Sequence, residues 1–317
     1  MNLDLAAVLQ TFREKPSQPE KLVLRLANVQ SLAIQILVHD DSGEQSDAWQ
    51  RFLRPTDVYV RSNNIHEVRA YNKLARLANA SIIVFLQGDN CMPRPSEGSA
   101  WLHEALYLFA RMPRLAVLGG HAGFDNPSLE SGVGPYPRRK PIPFFVEWSG
   151  QQRGLSAAVD ASTHFPSAVR RSRAIAFAHV YGVNIGPYFV RKQPFLDAGG
   201  FTQQYGNSGE PGGHFDVELC TRMWIGGFFS CGVYYGTVGN GVGGHKTRLG
   251  KQAKMRKRNQ QRAFAHLWEQ WREHNGTIGA RLTNENGQLL QWNPDVARQM
   301  QIDKPESARS CGGKHGR

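Results

Sequence analysis

Two apolar runs that each finish in carboxylates constrain the fold of this chain more than any other feature. Leu32 to Asp41, LAIQILVHDD, reads as a buried strand closing on Asp40 and Asp41, and Ser81 to Asn90, SIIVFLQGDN, as another closing on Asp89. Between them lies NNIHEVRAYNKLARLA, whose apolar positions Val68, Tyr71, Leu74, Ala75 and Ala78 recur at helical spacing behind an Asn64/Glu67 pair with the spacing of a capping box. The order is β-α-β-α-β. In open, mostly parallel α/β sheets ligands bind at the carboxyl ends of strands, so acids at two such ends point to chemistry. The bland alternative is that turns simply favour Asp and Asn.

A chain of 317 residues with 40% hydrophobic content can fill a sizeable core, which excludes a disordered or fibrous class. Lys and Arg outnumber Asp and Glu by 38 to 26, and this excess favours anionic partners such as nucleotide diphosphates, nucleic acid or an acidic membrane surface. Eight of the cations fall between Lys246 and Arg262, a stretch with no acid. Cys91, Cys220, Cys231 and Cys311 have no CxxC spacing and read as reduced thiols. No apolar run is long enough for a transmembrane segment. Asn79-Ala-Ser81 and Asn275-Gly-Thr277 match the glycosylation acceptor pattern, which arises often by chance.

Along the chain, residues 1–30 pattern as two short helices broken at Pro16/Pro19, the first with Leu5, Leu9 and Phe12 on one face. Strands are expected at 33–38, 57–61 and 82–86, a helix at 65–79, and after Pro93 and Pro95 a helix with Leu102, Ala105, Leu106 and Phe109 inward, followed by the strand LAVLGG. From His121 to Pro166 the pattern dissolves into Gly, Pro and aromatics, which fits an acceptor-binding loop or lid and plain disorder equally. Two strand-like runs in AIAFAHVYGVNIGPYFVRK precede a short helix stopped by Gly199 and Gly200, then the helix FDVELCTRMWI and the strand FFSCGVYY. A basic helix follows, docking by Phe264, Leu267, Trp268 and Trp271, and the polar stretch 276–317 reads as a loosely held tail outside a domain of residues 1–275.

Transfer of a sugar from a nucleotide diphosphate needs a pocket for base and ribose, positive charge for the leaving diphosphate, and a base for the acceptor hydroxyl. Asp40 or Asp41 can accept hydrogen bonds from base or ribose, Asp89 can hold a hard Mn or Mg ion, Arg69 can reach a phosphate, and Asp216 can serve as the base. Taken in order, these motifs resemble a glycosyltransferase of the GT-A fold, most like family two. The V-D-D-G-S-like motif falls on Val38 to Ser42, the A-R-N-like helix on Asn64 to Asn72 with Arg69, and the D-x-D metal motif on Gln87-Gly88-Asp89. Downstream, G-G-F matches Gly199-Gly200-Phe201, and E-D-x-[DE]-L-x-x-R matches Phe215 to Arg222. The resemblance spans roughly residues 30–235 and implies an α/β Rossmann-like, mostly parallel sheet flanked by helices, a nucleotide-diphosphate sugar donor such as a UDP-sugar, a glycan, protein or lipid hydroxyl acceptor, inverting transfer, and Asp216 as catalytic base. Asn72 would belong with Arg69 on the nucleotide side. His245 would join Asp89 on the metal, with Lys246 and Arg248 closing on the diphosphate; the competing reading of these three is a solvated loop leading into the basic helix.

The chain departs from that pattern in three places. Gln87 stands where the metal motif has its first Asp, and Phe215 where the second motif has Glu. The family's first strand, central in its 3-2-1-4 order, is not evident before the expected N-terminal helix, so either a preceding segment supplies it, the favoured reading, or Leu22 to Val29 substitutes. His66 and His214 read as helix-cap and turn residues, Glu218 and Arg222 as an i, i+4 pair, and Trp148, Tyr181 and Asn184 either as the border of an acceptor site or, as aromatics near Pro-rich loops more often are, as packing residues. Two rival functions stand beside transfer: an inactive fold of this kind that binds nucleotide or glycan, and a basic nucleic-acid binder. The second lacks any zinc finger, RRM-like or helix-turn-helix signature, so no nucleic acid is expected as a partner.

Overall fold

The structure is a computed structural model that describes residues 3–12, 17–42, 49, 51–87, 90–91, 99–119, 144–147, 174–183, 185, 187–233, 239–240 and 250–292. Its strands are β1 (Leu5–Thr11), β2 (Ile34–Asp40), β3 (Val58–Arg61), β4 (Ile82–Gln87), β5 (Asn90–Cys91), β6 (Leu115–Gly119), β7 (Phe144–Glu147), β8 (Ala174–His179), β9 (Tyr188–Arg191), β10 (Phe229–Val233) and β11 (Gly239–Asn240). The helices are α1 (Ser17–Ala27), α2 (Glu67–Leu77), α3 (Ala100–Arg111), α4 (Lys192–Asp197), α5 (Phe215–Ile225) and α6 (Gly250–Trp292).

Nine of these strands form one sheet in the order β3-β2-β1-β4-β9-β6-β10-β8-β7, and β5 pairs separately with β11. β1 to β4 are mutually parallel, β9 runs against β4 and β6, and β10 is parallel to β6. The architecture is therefore α/β, a mostly parallel sheet flanked by helices, as the succession of strand and helix patterns implies.

The central strand is Leu5–Thr11, which corrects the expectation of a helix there and of a missing first strand. It pairs with β2 from Leu5↔Ile34 to Thr11↔Asp40 and with β4 from Ala6↔Ile83 to Gln10↔Gln87. Leu5, Ala7 and Leu9 enter the core under α1 and α3, while Ala6 and Val8 enter the core under α2, α4 and α5. A strand buried on both faces is apolar at every position, and such a run cannot be told from a buried helix by periodicity. Leu22–Val29, the alternative candidate, lies instead in α1 and just beyond it.

The Asn64/Glu67 capping box does not form: His66 is the residue before α2, and the N–H groups of Ile65 and His66 are taken by Asp41 (2.7 Å each). The tail expected from residue 276 is helical to Trp292, and Ile278 is fully buried beside Trp224 and Phe229. The docking stripe of α6 is Asn259, Ala263 and Leu267, all buried, with Phe264 and Trp268 half-buried.

One polar clamp ties the two halves of the chain together. Asn72, buried on α2, accepts from the Phe201 N–H (2.8 Å) and donates to the Phe201 carbonyl (2.7 Å). Gly200 precedes it at φ +74°, and a Cβ there would stand 2.5 Å from Asn72 Oδ1, so the Gly-Gly turn is needed for both conformation and approach. Arg222 closes the same turn from α5, donating to the carbonyls of Ala198 and Gly200 while its Nε and Nη2 hold Glu218 (2.7 Å each). Asn72→Ala would leave the Phe201 N–H and C=O buried without partners, at about 2–4 kcal/mol. Urea unfolding of the variant should show a loss of that size; an unchanged midpoint would mean that Phe201 finds other partners.

Candidate active site

The chain leaves β1 toward β2 and β3 on one side, while β4 lies on the other, so the crossovers diverge between β1 and β4 and open a crevice at their carboxyl ends. Register fixes what stands there. Gln10 lies beside His39 on β2 and Gln87 on β4, and these side chains share the face covered by α2. One step on, Thr11 lies beside Asp40, which lies beside Arg61 on β3. β9 runs antiparallel with Tyr188 opposite Phe85, so the chain arriving at β9 through Ile185 crosses the same edge, beside the end of β4.

Asp216 occupies this edge. It sits in the first turn of α5, with one oxygen accepting from the Ile185 N–H and the other from the Val217 N–H (3.0 Å each), while Tyr188 donates to its backbone carbonyl (3.0 Å). The carboxylate is nearly buried, at 6% exposure, and desolvation pushes its pKa above the ordinary Asp range. The Ile185 N–H and nearby His214 pull in the opposite direction without cancelling this. His214 precedes α5 in the left-handed region (φ 52°), as the turn reading expects, and burial holds its imidazole below the usual His range. A carboxylate made more basic than usual and held at a strand-end crevice is equipped to accept a proton.

The other anticipated residues are distributed differently. Asp40 and Asp41 are fully buried, and both carboxylates accept hydrogen bonds inside the protein. Asp40 accepts from the Ser42 N–H (3.0 Å), the Ser42 hydroxyl and Tyr59 Oη (3.0 Å). Asp41 accepts from the Ser62 hydroxyl (2.5 Å) as well as from the two N–H groups ahead of α2. Arg69 donates to the Gly206 carbonyl (3.0 Å), and with the Asn72 clamp it fixes the segment between α4 and α5. Glu218 pairs with Arg222 as its spacing suggests. Tyr181 is fully buried and hydrogen-bonded to Thr221 (2.6 Å), which makes it a packing residue and not a border of an acceptor site.

Asp89, His245, Lys246 and Arg248 lie outside the described residues, as do Trp148 and Asn184. Their flanks are described and bear on two of them. Asn90, which follows Asp89, is opposite Asn240, and Cys91 is opposite Gly239, so the segment after β4 is stitched to the Gly-rich stretch that leads to His245. Among the described residues no three His, Cys, Asp or Glu side chains form a metal-binding group.

His39 is the residue that sequence reasoning overlooked. It is fully buried, and neither ring nitrogen has a hydrogen-bond partner among the described residues. Burial lowers its pKa, opposed by Asp41 and Asp40. The available signal was a polar residue near the carboxyl end of each otherwise apolar strand: Gln10, His39 and Gln87 lie side by side in one row. A separate cavity of about 420 Å³ lies beside Gly200, Gln203, Arg222, His266 and Gln270.

No known family profile and no curated protein matches the sequence. Among solved structures, a mannosyltransferase from Pyrobaculum calidifontis in complex with GDP-mannose and Mn2+ is 13% identical, with a TM-score of 0.44 over 95% of this chain and 85% of that one. Residues 1–349 of TarS from S. aureus are also 13% identical, with a TM-score of 0.38 over 76% of this chain. The chain spans 57% of that TarS structure.

The histidines ahead of α2 and inside the sheet set a pH dependence. Burial lowers both His66 and His179 to a pKa of about 4, against 6.5 in an unfolded chain. The folded state therefore resists protonation: its stability is whole above pH 6.5 and drains as pH falls toward 4. His66→Gly, which removes the titrating ring and suits a backbone of φ 68° and ψ 169°, should flatten the drop by on the order of 2 kcal/mol in urea melts compared at neutral and acid pH. An identical slope in the variant would contradict the account.

Proposed function

We propose that this chain is a GT-A, family-two-like inverting glycosyltransferase that moves a sugar from a nucleotide-diphosphate sugar to an acceptor hydroxyl. The observation that carries the reading is Asp216, a nearly buried carboxylate of raised pKa at the edge where β4 ends. The strand order β3-β2-β1-β4 supports it, because it supplies the crevice such donors occupy.

In this reading Asp216 takes the proton from the acceptor hydroxyl as that oxygen attacks the anomeric carbon. The bond from that carbon to the diphosphate oxygen breaks, and the nucleoside diphosphate departs with the electron pair. Asp89 and His245 would hold a Mn or Mg ion, and the pairing of Asn90–Cys91 with Gly239–Asn240 supports that assignment by joining the two segments that carry them. When bound, the ion would supply positive charge to the diphosphate, and Lys246 and Arg248 would add to it. Gln87 contributes only a neutral oxygen, so affinity for the ion rests mainly on Asp89. Asp40 and Asp41 serve the site indirectly, by fixing the ends of β2 and the start of α2.

A binding-only version of the same fold is the second reading, and the neutral row Gln10, His39 and Gln87 is what favours it. Asp216→Asn separates the two. Transfer should fall roughly 10²–10⁴-fold while nucleotide affinity holds, and the acid limb of the wild-type rate profile should lie above the ordinary Asp range. Nucleotide binding with no transfer in the wild type supports the binding-only fold, and full turnover in the variant removes Asp216 as base. Asp89→Ala should abolish the metal-dependent part of UDP or GDP binding in a thermal-shift assay, whereas an intact metal response would put the ion elsewhere.

A further inference from the structure

The transfer reading makes no use of the basic face of α6. No Asp or Glu occurs from Leu219 through Trp268, and within that stretch Lys251, Lys254, Lys257, Arg258 and Arg262 are all exposed on the first four turns of α6. Arg258 is held by Glu210 (2.5 Å). The strip from Lys251 to Arg262 is about 17 Å long at the α-helical rise. The opposite face of the helix is packed against the domain through Asn259, Ala263 and Leu267, so no apolar face remains there for insertion into lipid or for a partner helix.

The position of this strip gives it meaning. Asn259 donates to the Pro211 carbonyl (3.1 Å), and a Cβ on Gly213 would stand 2.6 Å from Gln260 Cγ. Arg256 acts electrostatically on both His66 and His214, the residues just ahead of α2 and α5. The start of α6 therefore lies over the starts of α2 and α5, at the sheet edge that holds Asp216, with Lys251, Lys254, Lys257, Arg258 and Arg262 exposed and Arg256 turned toward the two histidines.

We infer that this cationic strip docks the protein on an anionic lipid surface, with the Asp216 edge turned toward the headgroups. A convex row of ammonium groups suits a plane of phosphates, since each Lys gains from the negative surface potential without needing a pocket. The exposed positions from Gly250 to Arg262 include no aromatic side chain to stack on a splayed base, which disfavours single-stranded nucleic acid. Among the described residues no helix is long and apolar enough to cross a membrane.

The test is cosedimentation of the full chain with vesicles of phosphatidylcholine, with and without phosphatidylglycerol, at low and high salt. Binding should require phosphatidylglycerol, fall steeply with salt, and drop roughly tenfold or more in the triple variant Lys251→Gln, Lys254→Gln, Lys257→Gln. Far-ultraviolet circular dichroism and the melting temperature of that variant should match the wild type. Asp216→Asn, which tests transfer, should bind vesicles like the wild type, so failure of one proposal is distinguishable from failure of the other. Equal binding to neutral vesicles, an unaffected triple variant, or tighter binding to a single-stranded RNA oligonucleotide than to anionic vesicles would each overturn the inference.

Discussion

The double pairing of Leu5–Thr11 is the constraint on which the rest of the structure depends. With β2 on one side and β4 on the other, its backbone groups are satisfied within the sheet, and its alternating side chains enter two separate cores. Removing it would leave two open edges in the middle of a nine-stranded sheet. Its position also sets the crevice, since the chain diverges to opposite sides of β1 at the carboxyl ends of β1 and β4.

Asp216 gains its character from layers built outward from that strand. Tyr71, Phe85, Phe195, Phe201 and Phe215 pack ring against ring beneath α2, α4 and α5, and this cluster fixes where α5 can lie. Polar clamps then set its register: Asn72 on Phe201, Arg69 on Gly206, and Arg222 on both Glu218 and the turn after α4. What remains at the start of α5 is a carboxylate with two backbone donors and almost no water. Low polarity raises its proton affinity, and the N–H groups keep its direction fixed.

The elements legible in the sequence were those with a single dominant signal. The β2 and β4 runs, the Gly199–Gly200 stop and the Glu218–Arg222 spacing each appear in the structure where their local chemistry points. β1 was not legible because Leu-Ala-Ala-Val-Leu is apolar at every position, a pattern shared by doubly buried strands and buried helices. The roles of Asp40 and Asp41 were obscured for a related reason. Acids at strand ends look alike in sequence whether they meet a ligand or, like Asp41, satisfy N–H groups 24 and 25 residues away, just ahead of a helix. Polar composition after residue 276 also misled, because Ile278 and Arg281 anchor that part of α6 through contacts with α5 that no local pattern encodes.

The most direct test of this account is a crystal structure with nucleoside diphosphate and Mn2+, located by anomalous scattering at the manganese edge. The account predicts the metal at the carboxyl end of β4, on the segment that carries Asp89, with the open side of the nucleotide facing Asp216. Manganese and nucleotide bound away from the ends of β1 and β4, or Asp216 still sealed behind Ile185 with the nucleotide in place, would contradict it.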